Sequence, residues 1–172
     1  MNTYMKRMII NLMAAGLAMV FFCGCEFKPP IPADWYDVTL DYYKTGFETG
    51  WANEDPSLWI SDEMKDPDNS FGYLLTDLDG DGADELLIGL MDDSEVTKLT
   101  DIYIWHRDIG SFRIMTGGEG YYMYLCEGNV VRADSWYGSE TKTEYMTYDS
   151  SDNSFLIIEG PAEPLKIELT EF

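Results

Sequence analysis

Histidine and positive charge are scarce in this sequence. It contains one histidine, and 11 lysines and arginines stand against 32 aspartates and glutamates, a formal net charge of −21. Serine and cysteine hydrolases usually take their base from histidine, and zinc sites are built from clustered histidine and cysteine. The sequence also lacks a nucleophile elbow and a glycine loop that could cradle phosphate. We expect His106 to be an ordinary strand residue, and we expect no enzyme.

The shortage of basic residues also bears on partners. Lys6 and Arg7 are the only charged residues among the first 24, so without that segment nine of the 11 basic residues would face all 32 acidic ones. Nucleic acid binding needs a basic face, and so does contact of the folded surface with anionic lipid. We therefore expect no nucleic acid partner. Carboxylates in this excess suit a divalent cation, although a solvated acidic surface explains most of them.

Cysteine is rare as well, with three in the chain. Cys23 and Cys25 end an apolar run, so only Cys126 would be free in the folded body if Cys25 carries a lipid. An intramolecular disulfide could not then form, and the fold must depend on its core and on any bound metal. Cys126 follows the apolar stretch Tyr-Tyr-Met-Tyr-Leu, which predicts a buried, unreactive thiol.

The amino-terminal segment is typical of a secretory signal. Lys6 and Arg7 precede an apolar stretch of about 15 residues, which is shorter than the roughly 20 that a spanning helix needs. The ending Phe-Cys-Gly-Cys25 resembles the lipobox of bacterial lipoproteins, and this implies a signal peptide over 1–24 and a diacylglyceryl lipid on Cys25. Ordinary cleaved secretion and an uncleaved anchor are the alternatives. The proline-rich segment 25–33 predicts an extended tether.

The remaining residues, 34–172, predict one mainly β (α+β) domain. Asp34 is a candidate cap for an amphipathic helix that reaches about residue 50, and Asp55-Pro56 for a short helical turn to Ile60. The helical stripe consists of Tyr36, Leu40, Tyr43, Phe47 and Trp51. From Phe71 onward the period is two, which predicts an antiparallel β-meander in an open sheet, a sandwich or a partial barrel. Candidate strands are 71–76, 85–91, 101–107, 111–116, 120–126, 129–135, 141–148, 154–159 and 165–171.

One short segment carries the clearest chemical pattern. Residues 77–85 read Asp-Leu-Asp-Gly-Asp-Gly-Ala-Asp-Glu, in which carboxylates alternate and glycines allow a tight turn. Calcium takes six to eight oxygen ligands at flexible geometry, so this pattern predicts a calcium site. The predicted ligands are the side chains of Asp77, Asp79, Asp81 and Glu85 and the carbonyl of Ala83, with water completing the shell. Asp84 should face solvent, and an acidic hairpin without an ion is the alternative.

The flanks of this loop separate two known loop families. An EF-hand needs helices on both sides and a glutamate at position twelve, where this chain has Ile88. With a predicted strand on each side and an acid at position nine, the segment 71–90 instead resembles the calcium loops of FG-GAP and VCBS-type repeats of bacterial surface proteins. The resemblance implies a calcium site but no activity. The loop occurs once, so the sequence shows no internal repeat, and a chain of 172 residues is too short for a complete propeller.

These observations together favour a non-catalytic, calcium-stabilised surface lipoprotein. We expect it to be anchored on the extracytoplasmic face of the cell envelope through the lipid on Cys25, and to offer a β face to a glycan, a peptide or another envelope protein. The aromatic groups Tyr121–Tyr124 and Trp136–Tyr137 could form a sugar-stacking platform, although ordinary sheet packing explains them as well. The alternatives are an accessory subunit of a surface complex and a small acid-base hydrolase built on paired carboxylates.

Overall fold

A computed structural model describes residues 33–52, 54–55, 58–106 and 108–172. The predicted signal peptide, Cys25 and the tether up to residue 32 lie outside the described residues, as does Arg107. Within the described part, the domain is mainly β, as predicted, with two short α-helices. No described helix has the length and apolar character that crossing a bilayer requires.

The first helix forms where the apolar period predicts it. A 3-10 turn, Ala33–Tyr36, leads into α1, Asp37–Thr49, and Gly50 ends the helix in the left-handed conformation with its N–H bonded to the carbonyl of Gly46. The predicted stripe is confirmed, because all five of its members pack into one core. The predicted cap is wrong. Tyr36 holds the N-cap position, and its side chain makes no capping hydrogen bond, because the 3-10 turn moves the helix start two residues beyond Asp34.

The second helix begins later than predicted. Around Asp55 the described residues form only a turn, in which the N–H of Leu58 donates to the carbonyl of Asp55. Helix α2 instead spans Asp62–Lys65, and the Ser61 hydroxyl accepts a hydrogen bond from the N–H of Met64. Serine is a favoured N-cap, and acidic residues in the first turn complement the helix dipole. Ser61 and the acids after it therefore start this helix.

Nine strands follow in the described residues, and most of them begin and end within two residues of the predicted bounds. They are β1 Phe71–Thr76, β2 Glu85–Leu90, β3 Lys98–His106, β4 Gly110–Thr116, β5 Tyr121–Cys126, β6 Val130–Tyr137, β7 Glu140–Asp149, β8 Ser154–Ile158 and β9 Thr170–Glu171. The main differences are that β3 begins three residues earlier than predicted and that β9 is much shorter than 165–171. Leu165 pairs irregularly beside the ends of β3 and β5, where it bonds to Thr97 and Leu125. Pro161 and Pro164 precede it, and proline cannot donate to a regular ladder.

The strands form one antiparallel sheet in the order β8-β7-β6-β5-β3-β2-β1-β9, with β4 paired to β3 outside this path. β3 is long enough to serve two partners. Its second half, from Asp101, pairs with β4, and its first residues, Lys98 and Leu99, pair with β5. The ends of the sheet, β8 and β9, do not pair with each other in the described residues, so of the three predicted arrangements the sheet is the open one.

Each face of the central strands covers its own core. Helix α1 packs on one face, in a helix-side core formed by Tyr36, Tyr43, Trp51, Ile60, Met64, Phe71, Leu86, Ile88, Leu90 and Tyr103. The opposite face forms an inner core with Leu78, Leu87, Leu99, Ile102, Ile104, Met123, Leu125, Val131, Ala133, Met146 and Tyr148. All six residues of β2 are buried as a result. Ile102 and Ile104 of β3 face the inner core and Tyr103 faces the helix-side core, which agrees with the predicted period of two.

The sheet curls around the inner core. Neighbouring strands lie about 4.8 Å apart, so the five steps from β1 to β7 would span roughly 24 Å in a flat sheet. The N–H of Ser150, directly after β7, nevertheless donates to Asp79, shortly after β1, over 2.8 Å. The turn between β7 and β8 therefore folds back onto the acidic loop between β1 and β2.

Candidate metal centre

The acidic loop connects the first two strands of the sheet. Thr76 at the end of β1 pairs with Glu85 at the start of β2, and residues 77–84 bulge out between them. Gly80 and Gly82 have φ values of 77° and 86°, which L side chains rarely adopt. The two glycines therefore let the chain turn tightly enough for alternate carboxylates to face one another.

Three carboxylates of the loop converge on one point. Asp77, Asp79 and Glu85 each offer an oxygen, and these oxygens all lie within 4.8 Å of one another. Glu85 is 4% exposed, and the two aspartates are half-buried. Oxygens at this separation can share one cation, so this acidic triad could hold a metal ion. Of the predicted ligands, these are the three that the structure brings together.

Backbone N–H groups hold the triad in place. Asp77 accepts hydrogen bonds from the N–H groups of Gly80 and Gly82, at 2.7 and 2.9 Å. Glu85 accepts one from the N–H of Leu78 at 2.8 Å. The Oδ1 atom of Asp77 also accepts the N–H of Asp81 at 3.1 Å. A carboxylate oxygen has two lone pairs, so Oδ2 of Asp77 and both oxygens of Glu85 keep capacity for a metal. The chemistry of the donor set fits a hard cation, because all its atoms are carboxylate oxygens.

The electrostatics of the loop disfavour a full set of bare charges. Burial raises the pKa of Glu85 to about 8, and the negative charges of Asp79, Asp81 and Asp77 add to the rise, while the hydrogen bond from Leu78 opposes it. Without a cation, the buried glutamate therefore shares its pocket with neighbouring carboxylates at an electrostatic cost. A bound dication would remove this repulsion.

Asp81 and Ala83 have a different geometry from the triad. The Asp81 carboxylate accepts hydrogen bonds from the N–H of Ala83, at 2.8 Å, and from the hydroxyl of Ser150, at 2.9 Å. It does not belong to the group of three that lie within 4.8 Å. The ligand roles of Asp81 and of the Ala83 carbonyl stay predictions. Asp84 is exposed, as expected.

Three distant parts of the chain anchor the loop. Ser150 bonds to Asp79 and Asp81 from the β7–β8 turn. Asn129, in the β5–β6 turn, donates its amide to the carbonyl of Asp77 at 2.8 Å, and the Tyr36 hydroxyl donates to the carbonyl of Asp84 at 3.0 Å. Burial and the charge of Glu85 raise the pKa of Tyr36, so this phenol stays a donor. The loop is thus a junction between the first two strands, the β5–β6 and β7–β8 turns and the start of α1.

Sequence reasoning missed a second polar cluster in the described residues. Asp101, 1% exposed, accepts hydrogen bonds from the hydroxyl of Tyr43 at 2.8 Å and from the guanidinium of Arg113 at 3.2 Å. The hydroxyls of Tyr43 and Tyr103 lie 3.0 Å apart. Burial raises the pKa of Asp101 to about 6 even though the Arg113 charge lowers it. This network ties α1 to β3 and β4, and no local sequence signal connects its members.

The other predicted residues occupy ordinary positions. Cys126 is buried, as predicted, and burial raises the pKa of its thiol. His106 is the last residue of β3, where its ring accepts a hydrogen bond from the N–H of Asp108. In the aromatic tract, Met123 is fully buried in the inner core, whereas Tyr122 forms an edge contact with Trp136, which is 41% exposed. The tract therefore serves sheet packing on one face and leaves aromatic surface on the other.

No protein-family model, curated protein or solved structure matches the chain.

Proposed function

We propose that this chain is a non-catalytic, calcium-stabilised lipoprotein, held on the extracytoplasmic face of a membrane by a lipid on Cys25, that presents its sheet to a ligand. The observation that carries the metal part is the convergence of Asp77, Asp79 and Glu85 within 4.8 Å. The anchoring part is supported by the apolar segment that ends in Gly24-Cys25.

Calcium fits this donor set better than other biological metals do. The triad offers only carboxylate oxygens, whereas zinc and copper sites favour imidazole and thiolate ligands. Magnesium demands near-ideal octahedral geometry and usually keeps several waters, whereas calcium accepts uneven coordination. Asp81, the Ala83 carbonyl and water would complete the shell around the triad.

Bound calcium would act on stability. The acidic loop joins the β5–β6 and β7–β8 turns to β1 and β2, so neutralising its charge strengthens a junction of the whole sheet. Extracellular calcium modules bind with dissociation constants of about 10⁻⁴ to 10⁻³ M. Such a site is filled outside a cell and empty in the cytosol, which agrees with the proposed location.

A thermal unfolding experiment tests the calcium site. If the dissociation constant is in that range, 10 mM calcium adds about 1.4 to 2.7 kcal/mol of stability, or roughly 5 to 10 °C in melting temperature. We expect Asp79→Ala to remove this calcium-induced rise. Asp79 also accepts the N–H of Ser150, so the melting temperature of the Asp79→Ala variant should fall even without calcium. The readout is therefore the change in melting temperature on adding calcium.

Asp84→Ala is the matched control for this test. It removes a carboxylate from the same loop, but the side chain is exposed and the hydrogen bond from Tyr36 goes to the backbone carbonyl. We expect this variant to keep the calcium-induced rise, and we expect equal magnesium to give a smaller one. A rise that survives in Asp79→Ala would contradict the proposed site.

Metabolic labelling with a fatty-acid analogue tests the anchor. Cys25→Ser should abolish label incorporation and release the protein from membranes, because Cys25 is the proposed lipid acceptor. Cys23→Ser, two residues earlier in the same segment, should keep both. Label that persists in Cys25→Ser, or that is lost equally in both variants, would exclude the lipobox interpretation.

An accessory subunit is the second candidate function, and exposed apolar side chains favour it. Leu156 and Ile157 are 48% and 68% exposed on β8, which ends the sheet. An exposed apolar edge strand is a site where another chain can add a strand.

A small acid-base hydrolase is the third candidate function. Its general acid would need a carboxyl whose pKa is raised by an apolar pocket, and the candidate cleft away from the acidic loop contains Asp62 and Glu119, which are exposed.

A further inference from the structure

A cavity of about 490 Å³ lies between α2 and the start of β5. Two aromatic and three acidic side chains line it, namely Trp59, Tyr122, Asp62, Glu63 and Glu119. It shares no residue with the acidic loop. Its size suits a small ligand group, and its lining combines flat apolar rings with negative charge.

Trp59 is exposed and yet held in position. Its side chain is 52% exposed. The ring packs directly on the backbone of Gly118, where a Cβ would lie only 2.1 Å from the ring atom Cη2. The carbonyl of Trp59 accepts a hydrogen bond from the guanidinium of Arg113 at 2.8 Å. An indole fixed on one side and open on the other is a preorganised surface for a ligand.

The chain already holds one ammonium group at the edge of this cavity. The Nζ atom of Lys98 lies 3.5 Å from the centroid of the Tyr122 ring. The same atom donates to both carboxylate oxygens of Glu63, at 2.8 and 2.7 Å. An aromatic ring and a carboxylate thus bind a primary ammonium here through cation–π attraction and charged hydrogen bonds. The remaining ring and carboxylates of the cavity could bind a second ammonium group in the same way.

The rest of the cavity also combines an aromatic ring with carboxylates, but no cation of the described residues lies between them. Asp62 and Glu119 are exposed, and neither carboxylate has an ion-pair or hydrogen-bond partner within the part of the chain that the structure describes. Lys98 compensates one of the three carboxylates of the lining, which leaves two negative charges beside the open ring of Trp59. Charge and ring together favour a cationic ligand over a neutral or anionic one.

We propose that this cavity, the Trp59 pocket, binds an alkylammonium group between the Trp59 ring and the carboxylates of Asp62 and Glu119. The group can belong to a lysine side chain or to an amino sugar, since both present a primary ammonium beside apolar C–H surface. This inference rests on the proposed role as a binding module and names the chemistry of its ligand.

Nuclear magnetic resonance titration of the full-length chain tests the pocket. The probes are N-acetyl-lysine methylamide, its norleucine analogue, which lacks the ammonium, and the pair glucosamine and glucose. We expect both ammonium probes to shift the indole N–H signal of Trp59 with saturation, and the two neutral probes to leave it unchanged. The stronger of the ammonium probes identifies the source of the group.

Variants separate the pocket from the general negative charge of the protein. We expect Trp59→Ala to weaken binding of the stronger probe about fivefold and Glu119→Gln about threefold. Glu159→Gln removes another exposed charge, which lies outside the pocket, and should leave binding within about 1.5-fold. Equal weakening by Glu159→Gln, equal binding of a neutral probe, or an unmoved Trp59 signal would each overturn the proposal.

The calcium experiment distinguishes the two proposals. An unmoved Trp59 signal in a protein that still shows the Asp79-dependent calcium effect would overturn the Trp59 pocket alone. Saturating ammonium binding in a protein that calcium does not stabilise would support the pocket and contradict the calcium site.

Discussion

Asp101 should make the stability of this protein depend on pH in a defined window. It is the first residue of β3 that pairs with β4, and it is buried with Tyr43 and Arg113 as hydrogen-bond donors. Burial raises its pKa from 3.8 to about 6. Between these two values, the folded protein keeps a proton that the unfolded chain has already released. The free energy of unfolding therefore falls as pH rises from about 4 to about 6.

The magnitude follows from the size of the shift. Each pKa unit corresponds to about 1.4 kcal/mol, so the Asp101 shift amounts to about 3 kcal/mol between the two ends of the window. Below about pH 4 the buried Asp101 does not lower the free energy of unfolding, and above about pH 6 it lowers it by the full amount. Asp101→Asn removes the titrating group but keeps one of the two acceptor oxygens. We expect its stability to lack this decrease.

Urea unfolding at half-unit steps from pH 4 to pH 7, in calcium-free buffer with a chelator, measures the effect. The quantity of interest is the difference in unfolding free energy between the parent and Asp101→Asn, because titrations elsewhere in the chain cancel in it. Tyr43→Phe removes a donor that lowers the Asp101 pKa, so the decrease should extend to higher pH in that variant. Parallel pH profiles for the parent and Asp101→Asn would refute the reasoning.

Two further predictions concern packing and the acidic loop. Gly46→Ala places a Cβ 2.3 Å from the Trp51 ring, so thermal unfolding should report a loss of about 2 to 4 kcal/mol as the ring is displaced from the helix-side core. Ser150→Ala removes the hydroxyl that donates to Asp81, and chemical unfolding without calcium should show a loss of about 1 kcal/mol. Ser151→Ala removes only a hydrogen bond to Asp149 at an exposed position of the same turn, and it should show a smaller loss, below about 0.5 kcal/mol.

The strands and their faces could be predicted because burial in this sheet follows the sequence period. Alternation in β3 separates Ile102 and Ile104, which face the inner core, from Tyr103, which faces α1. The helical stripe is equally regular, and its five members pack together. Periodicity indicates which side chains are buried. In these elements the buried pattern extends over the same residues as the regular backbone hydrogen bonds, so it also predicts the secondary structure.

Periodicity could not predict which strands pair. The alternating pattern of Leu165, Ile167 and Leu169 suggests a strand, yet this segment makes only scattered bonds, such as that of the Ile167 N–H to the Thr97 hydroxyl. The same limit applies to β3, whose two partners divide its length between them. Pairing depends on where prolines and bulges interrupt the ladder, and an apolar pattern does not record this.

The sequence predicts only the part of the candidate metal centre that lies within one short segment. Spacing within 77–85 is sufficient to predict that carboxylates converge. The anchoring of the loop by Tyr36, Asn129 and Ser150 depends on the curl of the sheet, and the Asp101 network depends on the packing of α1. These contacts join residues that are more than 40 positions apart, which is beyond the reach of any motif.

A crystal structure of the protein grown with millimolar calcium tests the central claim most directly. The account predicts one ion in the acidic loop, with oxygens of Asp77, Asp79 and Glu85 about 2.3 to 2.6 Å from it. Contradiction would be a well-ordered loop without an ion, in which the three carboxylates bind backbone N–H groups and solvent alone.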